Sequence, residues 1–184
     1  MNNEELNKTV KDNFMKLLES DGRTVCDSGE IFMNTTYEGF DKLLDAYLAD
    51  IKFICRHKDI SDEFLNGKCD KELLHSKGIY LGDDVITYCP FNKLTLLGNS
   101  KATLDTNFRM IIVVKDNATL TITPKEFVSI KVFNNATVKI VDAGFTQVEI
   151  YKYSNTANIE TEGYCVTIHE RVWKNRPRMF LLKD

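Results

Sequence analysis

Two hydrophobic periods divide the chain. Up to about residue 80 the apolar residues recur at steps of three and four, and beyond residue 84 they alternate. Leu6, Val10, Phe14, Leu17 and Leu18 predict a helix from Asn2 to Gly22, with Asn2 at the N-cap and Gly22 just past the C-terminus. Phe40, Leu43, Leu44, Tyr47, Leu48 and Ile51 form one apolar stripe and predict a second helix from about Tyr37 to Asp50. Ser61, followed by Asp62 and Glu63, starts a short third helix that ends at Asn66-Gly67. Asp70 to Ser76 makes a fourth, stopped by Gly78.

After Leu81-Gly82-Asp83-Asp84, Val, Ile and Thr become frequent and the strands repeat. Laying residues 110–122 over residues 128–140, a shift of 18, matches Asn117-Ala-Thr to Asn135-Ala-Thr and apolar to apolar. Upstream the template is placed at a shift of 16, with Leu96 on Ile112, Ala102 on Ala118 and Leu104 on Leu120. Downstream a shift of 20 puts Val148, Ile150 and Asn155 on Val128, Ile130 and Asn135, with a one-residue slip before Ala157 and Ile159. Val166 and Ile168 begin a further turn.

A repeat of 16 to 20 residues, each with two short strands and a polar corner, predicts stacked turns of a β-solenoid. The fold class expected is therefore α+β: a helical docking or capping domain over residues 1–82, then a small parallel β-solenoid of four to five rungs over residues 83–184. Ile112, Val114, Ala118, Leu120 and Ile122 would face inward in one rung, and Ile130, Val132, Ala136, Val138 and Ile140 in the next. Thr119, Thr121, Ser129, Lys131, Thr137 and Lys139 would face solvent. Asp116-Asn117, Asn134-Asn135 and Ser154-Asn155 suit left-handed corners, where stacked asparagines can satisfy one another. A single rung buries too little apolar surface to order itself, so rungs must share a core and the open ends must be covered or paired. The helical part is expected to cap the first rung. An antiparallel β-sandwich satisfies the same alternation and stands as the alternative.

Composition adds limits. With 24 Lys and Arg against 27 Asp and Glu, the net charge of -3 draws the chain to neither nucleic acid nor anionic lipid, and neither is expected as a partner. Cys26, Cys55, Cys69, Cys89 and Cys165 include no CxxC pair, which reads as reduced structural thiols. The acidic start Met1-Asn-Asn-Glu-Glu-Leu lacks the pattern of a secretory signal, so the Asn-x-Thr sequons at Asn7, Asn34, Asn117 and Asn135 are read as structural.

The candidate chemistry is thin. His57, His75 and His169 fall in no zinc-spaced cluster, and Cys55 with His57 lacks a third group to orient a thiolate. Asp83-Asp84 at the junction fits a cap or turn. The outward Lys131, Lys139, Glu149 and Tyr151 carry too few carboxylates for a carbohydrate-active β-helix enzyme, which remains the third reading. No enzymatic activity, cofactor or metal is expected. The basic tail offers Arg171, Trp173, Arg176, Arg178 and Phe180 as partner-contact residues, since Trp and Arg are frequent interface anchors. The competing reading is a segment that closes the last rung.

Phe40 to Cys55, then Cys69 to Tyr80 and the alternating rungs, resemble a β-solenoid protein family encoded by phages and prophages of gut Bacteroidetes bacteria, crAss-like phages among them. The similarity covers most of the chain after residue 28 and transfers no catalytic residue. It implies a virion structural protein, a head fibre, capsid-decorating or tail accessory protein. Such a protein would be assembled in the host cytoplasm, and its partners would be capsid or tail proteins and further copies of itself as a dimer or trimer. The second reading is a cytoplasmic interaction protein of a mobile element, one that binds a host factor or self-polymerises in the manner of a bactofilin.

Overall fold

The computed structural model describes residues 70–171 continuously, together with residues 4–5, 7–8, 11–12, 15, 27–38, 42 and 45. The chain divides into two compact units, Met1–Cys69 and Asp70–Asp184. The fourth expected helix and residues 79–82 therefore belong to the solenoid unit.

In the first unit the described residues between 4 and 15 are helical, as are 42 and 45, on the two stretches where periodicity places helices. The third expected helix and the Cys55/His57 pair lie outside the described residues. A further helix, α1 (Asp27–Asn34), is one that the sequence reading did not place. It is short and contains Gly29, so no apolar stripe announces it. Asn7, buried, donates from Nδ2 to Tyr37 O (2.9 Å) and accepts at Oδ1 from Tyr37 N (3.1 Å), which accounts for this sequon asparagine structurally.

The second unit opens with α2 (Lys71–Ser76), whose N-cap Asp70 accepts from Glu72 N at 3.1 Å. Eleven strands follow: β1 (Ile79–Tyr80), β2 (Val85–Ile86), β3 (Lys93–Leu96), β4 (Lys101–Thr106), β5 (Met110–Val114), β6 (Thr119–Pro124), β7 (Val128–Val132), β8 (Thr137–Ile140), β9 (Val148–Lys152), β10 (Asn158–Thr161) and β11 (Val166–Glu170). Odd-numbered strands stack as β1-β3-β5-β7-β9-β11 and even-numbered ones as β2-β4-β6-β8-β10. Every pairing among the described residues is parallel, so the fold is a two-sheeted parallel β-solenoid of about five turns and not a sandwich.

The ten residues expected inward in the two central rungs are all buried. They join Leu94, Leu96, Leu104, Met110, Val128, Val148 and Ile150 in one continuous core between the sheets. The offset of 18 pairs Ile112 with Ile130 and Leu120 with Val138, and the downstream slip is real: Ile130 pairs with Ile150 but Val138 with Ile159.

Two expectations need correcting. Upstream the offset is also 18, with Leu94 on Ile112, Leu96 on Val114 and Ala102 on Leu120; the offset of 16 belongs one turn earlier, where Ile79 pairs with Thr95. A shift of two keeps every side chain on its face, so alternation cannot choose between 16 and 18. The corner chooses: Gly98, Asp116 and Asn134 all have positive φ (64°, 62° and 53°) and must stack. Second, Lys131 does not face open solvent. It is 7% exposed, on an outward row where Thr95 and Val113 are also buried and where Val113 and Tyr151 flank it.

The corners are held by ladders of side-chain bonds. Asn99 donates to Asp83, Asn117 to Asn99 and Asn135 to Asn117, at 3.4, 3.3 and 3.4 Å. Asp116 accepts from Gly98 N below it (3.1 Å) and from Asn134 Nδ2 above it (2.9 Å). These bonds use two more of the sequon asparagines, Asn117 and Asn135, as predicted from the stacking. In the fifth turn, where a residue is inserted, the Thr156 hydroxyl donates to Asn134 O at 2.8 Å.

Candidate functional site

The two ends of the solenoid are built differently, and the difference locates the candidate site. At the first turn the strands are only two residues long. α2 precedes them and contacts β1, and its Leu74 is 1% exposed. Asp84 ties the helix to the corner. Its side chain, 8% exposed, accepts from the Lys71 ammonium and from Leu81 N at 3.1 Å, and Oδ2 lies 2.9 Å from His75 Nε2. Burial pushes the Asp84 carboxyl up, but the bonds from Lys71, His75 and Leu81 outweigh it and hold the group below the usual carboxylate range. The His75 ring lies 4.6 Å from that of Tyr80, whose hydroxyl titrates higher than usual, first through burial and then through the nearby Cys89 and Asp84 charges. Burial likewise raises the Cys89 thiol, as expected of a structural cysteine. Asp84 is thus a latch, in line with the cap or turn role expected of Asp83-Asp84.

At the other end, β11 pairs only with β9 and β10 only with β8 among the described residues. Val148 N donates to Cys165 O (3.1 Å) and Arg171 N to Lys152 O (2.8 Å). Alternation along β11 then directs the backbone groups of Cys165, Thr167, His169 and Arg171 to β9, and those of Val166, Ile168 and Glu170 to the free edge. Ile168 continues the inward row Leu94, Ile112, Ile130 and Ile150, yet it is 44% exposed, because no further rung covers it among the described residues. Val166 and Ile159 beside it are half-buried.

The inward row through Leu96, Val114 and Val132 changes character here, continuing as Lys152 and then Glu170, paired strand to strand. A lysine and an exposed glutamate thus take the place of the apolar residues at that corner.

Around this end the outward side chains form a brace. Tyr151 Oη donates to Glu149 Oε2 (2.8 Å), Gln147 Nε2 to Glu149 Oε1 (3.2 Å), and the rings of Tyr151 and His169 stack 4.7 Å apart. The bond to the Glu149 carboxylate is the main reason the Tyr151 hydroxyl holds its proton more tightly than usual. At the opposite corner Phe145 and Tyr164 stack at 5.1 Å while standing 83% and 82% exposed.

Of the expected partner-contact residues, Arg171 extends the β11 ladder and sets its guanidinium 6.0 Å from the Tyr151 ring centroid. Trp173, Arg176, Arg178 and Phe180 lie outside the described residues. The sequence reading missed the Tyr151–His169 stack and the Phe145–Tyr164 pair. The first was detectable, since the repeat puts Tyr151 and His169 at matching positions; the second depends on a corner loop of irregular length.

Among the described residues no group of three or more His, Cys, Asp or Glu side chains is placed to hold a metal ion. The fold and this end define a class, a parallel β-solenoid suited to self-association and to contact with other proteins. Comparison with protein-family models, curated proteins and solved structures gives no match.

Proposed function

We propose that the protein works by assembling, as a non-enzymatic interaction module whose solenoid joins further copies of itself. The observation that carries this reading is the last turn, where two parallel sheets end in strand edges that are unpaired among the described residues, around the exposed Ile168. An edge of this kind is a template for another strand. The setting proposed with it is a self-associating protein of a mobile element, acting in the cytoplasm.

Sedimentation velocity of the full chain over a range of concentrations tests it. The expected species is heavier than the 21.1 kDa monomer and grows in with concentration; a monomer throughout would contradict the proposal. The resemblance to the phage family supports a narrower setting, a structural place in the virion as a head fibre, capsid-decorating or tail accessory protein that contacts capsid or tail proteins. Mass spectrometry of purified virions of the source phage would then find the polypeptide, and its absence would exclude that setting.

A further inference from the structure

The geometry points to a second copy of this chain as the occupant of the β11 edge, joined across a two-fold axis at Ile168 so that assembly closes as a dimer and does not propagate as a filament. The inference rests on the self-association reading above and adds its partner, register and stoichiometry.

The first turn is a poor match for the last, because its strands are two residues long and the edge N–H of Leu81 is already bonded to Asp84, which Lys71 and His75 of α2 also hold. Head-to-tail growth needs edges of matching length at both ends, and among the described residues β11 has five residues against two in β1. An interface that uses the same surface on both copies is closed by symmetry.

The register follows from which backbone groups are free. N–H and C=O of Val166, Ile168 and Glu170 point away from β9, at alternate positions, which is the arrangement an antiparallel partner needs for paired bonds. A two-fold at Ile168, normal to the sheet, sets Ile168 against Ile168 and Val166 against Glu170 in hydrogen-bonded pairs, with Thr167 against His169 on the outer face. All six free groups on each copy are then used. Inward residues meet inward residues, the half-exposed Ile168 side chains cover one another, and no like charges are opposed within β11. Moving the axis to His169 places histidine on histidine and Ile168 on Glu170, and moving it to Thr167 leaves Glu170 without a partner in β11.

Two substitutions on the full chain test the register. Proline at position 168 removes an N–H that the solenoid's own ladder does not use, so Ile168→Pro leaves the fold intact and weakens dimerisation by about tenfold to a hundredfold in sedimentation. Glu170→Pro, which also removes a free N–H, serves if the first variant folds poorly. In a Cys165→Ser background, Ile168→Cys sets the two thiols at a Cα separation of about 5.5 Å, within reach of a disulfide, and mild oxidation yields a dimer linked through residue 168 by peptide mapping. A 168–168 cross-link together with a dimer weakened by proline supports the inference. Open-ended polymers, or a dimer indifferent to both prolines and without the cross-link, would overturn it while leaving self-association standing. A monomer at every concentration, including one whose β11 edge is taken by its own residues 172–184, would overturn both.

Discussion

Ile150 and Ile168 are neighbours on one inward row of the solenoid, yet the first is fully buried and the second is 44% exposed. At the opposite end, Leu74 of α2 is 1% exposed. One repeat therefore ends in two ways. A helix and a carboxylate latch finish the first turn, while the last turn presents the same ladder of backbone groups unpaired among the described residues. A solenoid's stability is a sum over neighbouring turns, so what a terminal turn lacks in neighbours must come from a cap or from another chain. The contrast marks the last turn as the place where the proposed self-association would act.

Truncating side chains at the two ends gives the largest expected difference. Leu74→Ala should cost about 2 to 5 kcal/mol in chemical denaturation, as for a buried leucine, and Ile168→Ala in dilute protein less than about 1.5 kcal/mol. Equal costs would mean that the two ends are equally covered. Next comes the latch. Asp84→Ala should destabilise by about 1 to 3 kcal/mol, because Lys71, His75 and Leu81 N lose their acceptor. Its pH dependence has a definite sign. A carboxyl held below its ordinary range when folded contributes fully above the unfolded value near ~3.9, and that contribution is lost as pH falls through the folded pKa. Thermal midpoints of wild type and Asp84→Asn should therefore differ at pH 7 and begin to converge only below about pH 4. The smallest effect lies between the ends: the Ser100 hydroxyl is buried without a partner where later turns carry Ala118 and Ala136, so Ser100→Ala should stabilise by up to about 1 kcal/mol.

Much of the middle of the molecule was legible in the sequence because a repeat states its own register. Asn117-Ala-Thr over Asn135-Ala-Thr fixes both strand pairings and the asparagine ladder at once. The reading slipped where two physical rules agree on more than one answer. Offsets of 16 and 18 preserve the same alternation, and only the left-handed angles at Gly98 and Asp116 separate them. Helix α1 escaped because eight residues around Gly29 carry no stripe. The contrast between the two ends was legible only in part. The need for covered ends and a helix at the first rung were foreseen, but the latch that Asp84 makes with Lys71 and His75 across the corner is a tertiary contact that no spacing rule encodes. Of the five tail residues expected to meet a partner, Arg171 lies within the described residues, beside Tyr151.

Hydrogen exchange at single-residue resolution, compared between dilute and concentrated protein, tests the central claim most directly. The amides of Val166, Ile168 and Glu170 should gain protection with concentration, while those of Thr167 and His169, bonded to β9, and those of the first turn should not change. If the three edge amides exchange at the same rate at every concentration, the C-terminal edge is not where the molecules meet.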